Sequence, residues 1–167
     1  MRLRTMLVLA FMSAACDGSL NAARAEVTRY PIPNSTFPIA QAVQVTGNAT
    51  TYYVSGQVPP VVSKDADPAS PQAYGDTRTQ TVGVLTRIKG ILEGLSLSMA
   101  DVVKMQVFLV GDPAKGGKMD FAGMMEGYKQ FFGTKDQPNK PARSTVQVAA
   151  LVGPAFLVEI EVIAAKK

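Results

Sequence analysis

The stretch FLVEIEVIAA, residues 156–165, constrains this chain more than any other ten residues. It alternates with the period of a strand, in which residues two apart share a face. Phe156, Val158, Ile160 and Val162 form a wholly apolar face that is expected to meet helices. Leu157, Glu159, Glu161 and Ile163 point the other way and make a mixed face. The preceding run divides in the same manner, with Ser144, Val146 and Val148 opposite Arg143, Thr145 and Gln147. We assign the latter three to the mixed face with the glutamates. Charges in such a strand are paired, face water, or do chemistry, and parity alone leaves all three open. The mixed face is too apolar for open water and too charged for a closed core. A symmetric homo-oligomer with a polar cleft at its interface would satisfy it.

Helical periodicity supplies the other layer. Val82, Leu85, Ile88, Leu92 and Leu95 recur every three or four residues, predicting a helix over about 76–95 capped by Asp76 or Thr77. Phe121, Met124, Tyr128 and Phe131 predict a second over about 120–132. Between them, 101–110 reads as a strand with Val103, Met105, Val107 and Leu109 on one side. Residues 40–45 and 51–58 flank Gly47-Asn48 and read as a hairpin. Gly153-Pro154 marks a second hairpin between strands at about 143–151 and 155–164. Residues 26–38 and 59–75, rich in proline and polar groups, read as irregular. The predicted order is β-β-α-β-α-β-β, an α+β sandwich with two helices on one face of a mixed sheet.

The first 25 residues are set apart from this domain. A basic start (MRLR), a short apolar run (MLVLAFMSAA) and ARA ending at Ala25 have the three parts of a secretory signal peptide. Cleavage is expected between Ala25 and Glu26, leaving 26–167 as a single exported domain, secreted or periplasmic and not held in a membrane. The apolar run falls short of the roughly 20 residues that span a bilayer. Lipid attachment at Cys16 is the lesser alternative, because Ser13 stands where such signals carry a large aliphatic residue.

Composition then excludes whole classes of chemistry. Cys16 is the sole cysteine and there is no histidine. The mature domain therefore has no thiolate nucleophile, disulfide, histidine base, or sulfur- or histidine-ligated metal. Loss of Arg2, Arg4, Arg24 and Asp17 with the leader lowers the net charge from +4 by two. Without a lysine or arginine run, that gives no support for nucleic-acid binding. Catalysis has to rest on arginine, carboxylates, hydroxyls, backbone groups and water.

PARSTVQVAAL at 141–151, followed by VEIEVIAA at 158–165, resembles the Rid family of reactive intermediate deaminases, also called YjgF or, in older usage, endoribonuclease L-PSP. Pro141, Arg143, Ser144 and Val146 match its P-x-R-S-x-V pattern, and Glu159, Glu161, Ile163 and Ala164 match E-x-E-x-I-A. YYVSGQVP (52–59), Gln80-Thr81, DVVKMQVFL (101–109) and YKQFF (128–132) follow in the family's order, covering roughly 36–165. The resemblance implies a chorismate-mutase-like fold and a homotrimer with clefts at the subunit boundaries. It also implies hydrolysis of enamines and imines such as 2-aminoacrylate to 2-keto acids and ammonia, with no cofactor or metal.

Residue by residue, Arg143 matches the family's carboxylate-binding arginine, a role suited to a bidentate guanidinium. Glu159 matches the glutamate that positions water, with Glu161 on the same face as a competitor. Ser55 and Gly56 match the Ser-Gly of the substrate cleft; Gln57, next to them, reads as structural. Three expected cleft positions depart from the pattern. Ile39 stands in FPIAQ where active members carry tyrosine in G-P-Y-x-Q, Thr145 replaces a frequent cysteine, and Met125 replaces a frequent asparagine. These changes make the cleft more apolar and leave the substrate open. The alternative is a trimeric module that binds a small carboxylate without turning it over. The ribonuclease role of the older label is opposed by the absence of histidine, a basic groove and an aromatic stacking platform.

Overall fold

A computed structural model describes residues 24–166; the apolar run of the leader and Cys16 lie outside the described residues. The elements in chain order are β1 (Glu26–Pro31), β2 (Ala40–Thr46), β3 (Thr50–Gln57), α1 (Thr77–Gly94), β4 (Val102–Val110), α2 (Phe121–Tyr128), β5 (Ala142–Val148) and β6 (Val158–Lys166). They form one six-stranded mixed sheet in the order β1-β2-β5-β4-β6-β3. The α+β class is as expected, with two helices on one face. No described helix is long and apolar enough to cross a membrane.

The core lies between that face and the helices. Met105, Val107, Leu109, Val158, Ile160 and Val162 are buried from the sheet, against Val84, Leu85, Ile88 and Leu92 of α1 and Met124 and Tyr128 of α2. Truncating a fully buried Leu, Ile or Met among them to alanine removes about 2–5 kcal/mol. Asp76 caps α1 by accepting from the Thr79 N–H at 2.8 Å. The predicted α1 stripe shifts by part of a turn: Val84 is buried, Val82 is half-buried and Leu95 is exposed. Leu95 falls at the cap, beyond the last residue that can face the sheet. The second helix is shorter than expected, because the chain passes into turns after Tyr128. Gly127 lets α2 approach α1 closely: a Cβ there would lie 2.8 Å from Thr81 Cβ.

Gln80 ties the α1 layer to the irregular segment that leads into β6. Its amide donates to the carbonyls of Gly75 and Ala155 at 3.1 Å each and accepts from the Leu157 N–H at 2.7 Å. That anchor also explains two departures from the 156–165 pattern. Leu157 is buried although parity turned it outward, because it precedes the strand. Phe156 packs edge-on against Tyr74, with centroids 4.9 Å apart, instead of joining the main core.

Strand partners differ from the sequence reading in three places. Residues 26–31 are not irregular: β1 pairs antiparallel with β2 from Glu26↔Thr46 to Tyr30↔Ala42, and Pro31 falls where the ladder breaks. The hairpin between β2 and β3 does not form. Gly47 does turn, with φ 68°, but β3 pairs with β6 and β2 meets β5 at Ala40↔Ala142. The hairpin between β5 and β6 is also absent. β4 lies between them, parallel to β5 and antiparallel to β6. The parallel β4-α2-β5 crossover places α2 over β5, which decides where the arginine points.

Candidate functional site

Arg143 pairs with Met105 across the β4–β5 ladder, and Met105 is fully buried toward the helices. Arg143 therefore projects into the helix layer and not onto the open face, and Thr145, paired with Val107, follows it. This corrects the parity assignment. Val146 and Val148 look like core residues in the sequence, yet Val146 is exposed on the open side.

The guanidinium lies in an aromatic box. Its central carbon is 4.3 Å from the Tyr128 ring centroid, 5.7 Å from Phe37 and 6.0 Å from Phe121. Nη2 donates to Met125 Sδ at 3.1 Å. Nη1 and the neighbouring Thr145 Oγ1 are buried without a hydrogen-bond partner. Among the described residues no carboxylate forms an ion pair with Arg143; the two ion pairs there are Arg78–Glu126 and Lys89–Glu93. Burial lowers the Arg143 pKa from its ordinary value, opposed by its favourable interaction with the adjacent Tyr128. Burial raises the Tyr128 phenol well above its usual value, opposed by Arg143, and its hydroxyl donates to Pro38 O at 2.8 Å. Cation–π contacts are worth about 0.5–2 kcal/mol, far less than water and a counter-charge give a buried cation. The arrangement leaves the guanidinium without a counter-charge and with one donor unused.

Ile39 belongs to this half of the site by its backbone. Ala40 N–H donates to Pro141 O at 3.0 Å, so Phe37, Pro38 and Ile39 run beside the start of β5. Ile39 itself is half-buried.

Glu159 occupies the other face. It pairs with Phe108, an alternate position from Met105 along β4, and so points away from the helices. Three residues along the strands and two strands across separate it from Arg143, roughly 14 Å between Cα atoms. The side chains diverge from opposite faces. One protomer does not bring them to a single small molecule.

Ser55 and Gly56 accompany Glu159. They are the two residues of a bulge between Val54 and Gln57, opposite the single Glu161. A Cβ on Gly56 would overlap Glu159 Oε1. Gln57 folds back to donate to the carbonyls of Ser55 and Gly56, at 3.0 and 3.2 Å, and so secures the bulge. The two glutamates differ in engagement: Glu161 accepts from Gln106 Nε2 at 2.8 Å, whereas the Glu159 carboxylate has no hydrogen-bond or ion-pair partner among the described residues. An open groove of about 260 Å³ runs beside them, lined by Tyr53, Ser55, Lys104, Gln106, Glu161 and Ile163.

The structure thus groups Arg143, Thr145, Met125 and the backbone of Ile39 in one half-site, and Glu159, Ser55 and Gly56 in another. Phe37, Phe121 and Tyr128 were missed as site residues. The available signal was the i, i+4, i+7 spacing of Phe121, Met125 and Tyr128, which sets them on one face of α2. Among the described residues no cluster of acidic groups is placed to hold a metal ion.

A family model described as Endoribonuclease L-PSP matches residues 32–166. The chain belongs to this family, the YjgF or Rid proteins. A RutC family protein of Haemophilus influenzae is 36% identical over 135 residues, 81% of this chain and 92% of that protein. Escherichia coli TdcF, named "putative reactive intermediate deaminase", is 34% identical over 134 residues, 80% of this chain and 91% of its own length. The crystal structure of E. coli TdcF with bound serine superposes with a TM-score of 0.54 at 31% identity, covering 80% of this chain and 97% of that one. A Thermotoga maritima family structure gives the same TM-score at 34% identity, over 83% and 93% of the two chains. These likenesses support Rid-type deaminase chemistry at the level of the family.

Proposed function

We propose that this Rid protein hydrolyses 2-imino acids to 2-keto acids and ammonia at sites shared between protomers of a homotrimer. The observation that carries the reading is the buried Arg143 Nη1, unpartnered beside an unpartnered Thr145 Oγ1. A substrate carboxylate satisfies both and supplies the missing negative charge. The free carboxylate of Glu159, on a neighbour's open face, takes a proton from water as it attacks the imine carbon. A C–O bond forms and the C=N π bond becomes a lone pair on nitrogen. Glu159 returns the proton to nitrogen, giving a carbinolamine. It then carries the hydroxyl proton to the amine as the C=O bond forms and the C–N bond breaks, releasing ammonia and the 2-keto acid. The imine carbon is already electrophilic, so positioning supplies much of the rate and no cofactor enters the scheme.

Assembly of copies suits the open face, where Phe108, Val146 and Ile163 lie half-buried or exposed beside the glutamates. The bound serine in the TdcF structure is a small carboxylate of the kind this seat would take. Export of the domain from Glu26 onward belongs to the same reading and is checked by the N-terminal sequence of protein recovered from outside the cytoplasm.

The test is the decay of freshly generated 2-imino acids with protein lacking residues 1–25, alongside Arg143→Ala. Faster decay with the parent and background decay with the variant are expected. Carboxylates that raise the melting temperature without any acceleration would select the non-catalytic binding module instead.

A further inference from the structure

We propose that the Arg143 seat selects 2-imino acids with an aromatic side chain, and that Phe37 is the specificity-determining residue. This rests on the deaminase reading for its chemistry, although the ligand class stands on the seat itself.

Phe37 and Phe121 are 37% and 36% exposed, in contrast to Tyr128, which is fully buried beneath the guanidinium. Their rings lie nearly parallel, 7° apart in plane with centroids 6.5 Å from one another. Both are within 6.0 Å of the Arg143 guanidinium carbon. The guanidinium, with its Nη1 enclosed and unpartnered, thus lies next to two part-exposed rings. Met125 extends the apolar character around it.

A ligand satisfying all of this has a carboxylate for Arg143 and, a few bonds away, a flat apolar group for the wall. An imino acid with a methyl or ethyl side chain fills the first requirement and leaves both rings wet. A benzyl side chain reaches from the carboxylate to the wall, covering apolar surface and stacking on Phe37. Phe37 is the adjustable member. It lies in the segment before β2, so its ring can be removed without opening the core. Phe121, the first residue of α2, offers an independent second truncation.

The experiment compares kcat/KM for 2-imino-3-phenylpropanoate and 2-iminobutanoate in the parent, Phe37→Ala and Phe121→Ala. Calorimetric titration with 3-phenylpropanoate and butanoate runs alongside. The parent is expected to prefer the aromatic imine by at least roughly tenfold, and Phe37→Ala to lower kcat/KM for the aromatic imine at least several-fold more than for 2-iminobutanoate. Titration should show the same preference and the same loss. If neither imine is hydrolysed but 3-phenylpropanoate binding depends on Phe37, the ligand class holds and the deaminase reading fails. Equal kcat/KM for both imines, with Phe37→Ala indistinguishable from the parent, overturns the inference and leaves the deaminase intact.

Discussion

The carboxylate of Glu159 covers the Cα of Gly56, in the space that any side chain at position 56 would need. The bulge at Ser55-Gly56 is thereby coupled to the direction of the candidate base. Gly56→Ala should displace Glu159 rather than unfold the protein, because the obstructing atoms are the far end of a flexible side chain. We expect kcat to fall at least about tenfold with the melting temperature within a few degrees of the parent. Unchanged turnover on 2-imino acids would show that the Glu159 position is not used.

Arg143 holds a half-buried charge, its Nη1 fully enclosed, without a counter-charge, an arrangement that costs stability. Arg143→Met keeps an unbranched, flexible side chain and removes the charge. It should raise stability by about 1 kcal/mol in denaturant unfolding while abolishing carboxylate binding and turnover. A loss of stability would instead mean that the guanidinium is a structural fixture of the aromatic box.

Tyr128 gives stability a pH dependence. Burial raises its folded pKa above the unfolded value, so the native state retains a phenolic proton that the unfolded chain releases. Its contribution is complete below the unfolded value near 10 and declines as pH rises above it. Unfolding free energy should therefore be level from pH 7 to 9 with respect to this group and fall from about pH 10. Tyr128→Phe should flatten that fall, at the cost of about 1 kcal/mol at neutral pH for the lost bond to Pro38 O. The same alkaline slope in both proteins would remove Tyr128 as its source.

Gln80 makes three hydrogen bonds to backbone that is otherwise buried. Gln80→Leu leaves two carbonyls and one N–H unsatisfied and should cost about 2–4 kcal/mol. Chemical denaturation reads this directly. A cost below 1 kcal/mol would mean that water or a shift of the Ala155–Leu157 segment replaces the amide.

Much of this was legible in the sequence, and the limit was physical. The Asp76 cap, the buried alternation from Val103 to Leu109 and the apolar face of β6 depend on residues near one another in the chain. Strand partners do not. Gly47-Asn48 signals a turn, but nothing local states that β3 continues to β6 while β2 returns to β1. The side on which Arg143 emerges depends on its register with Met105, a pairing set by the α2 crossover. Parity offered two arrangements, and the valines at 146 and 148 favoured the wrong one. Phe37 gave no periodic signal, because its role arises from a loop meeting a helix.

The central claim is that Arg143 and Glu159 act together only across protomers. Arg143→Ala and Glu159→Gln, each inactive alone, are dissociated, mixed in equal amounts and reassembled. Random assembly leaves about one quarter of the sites with Arg143 from one chain and Glu159 from another. Recovery of about that share of parental 2-imino acid hydrolysis is the predicted result. A reassembled mixture as inactive as either variant would contradict the account.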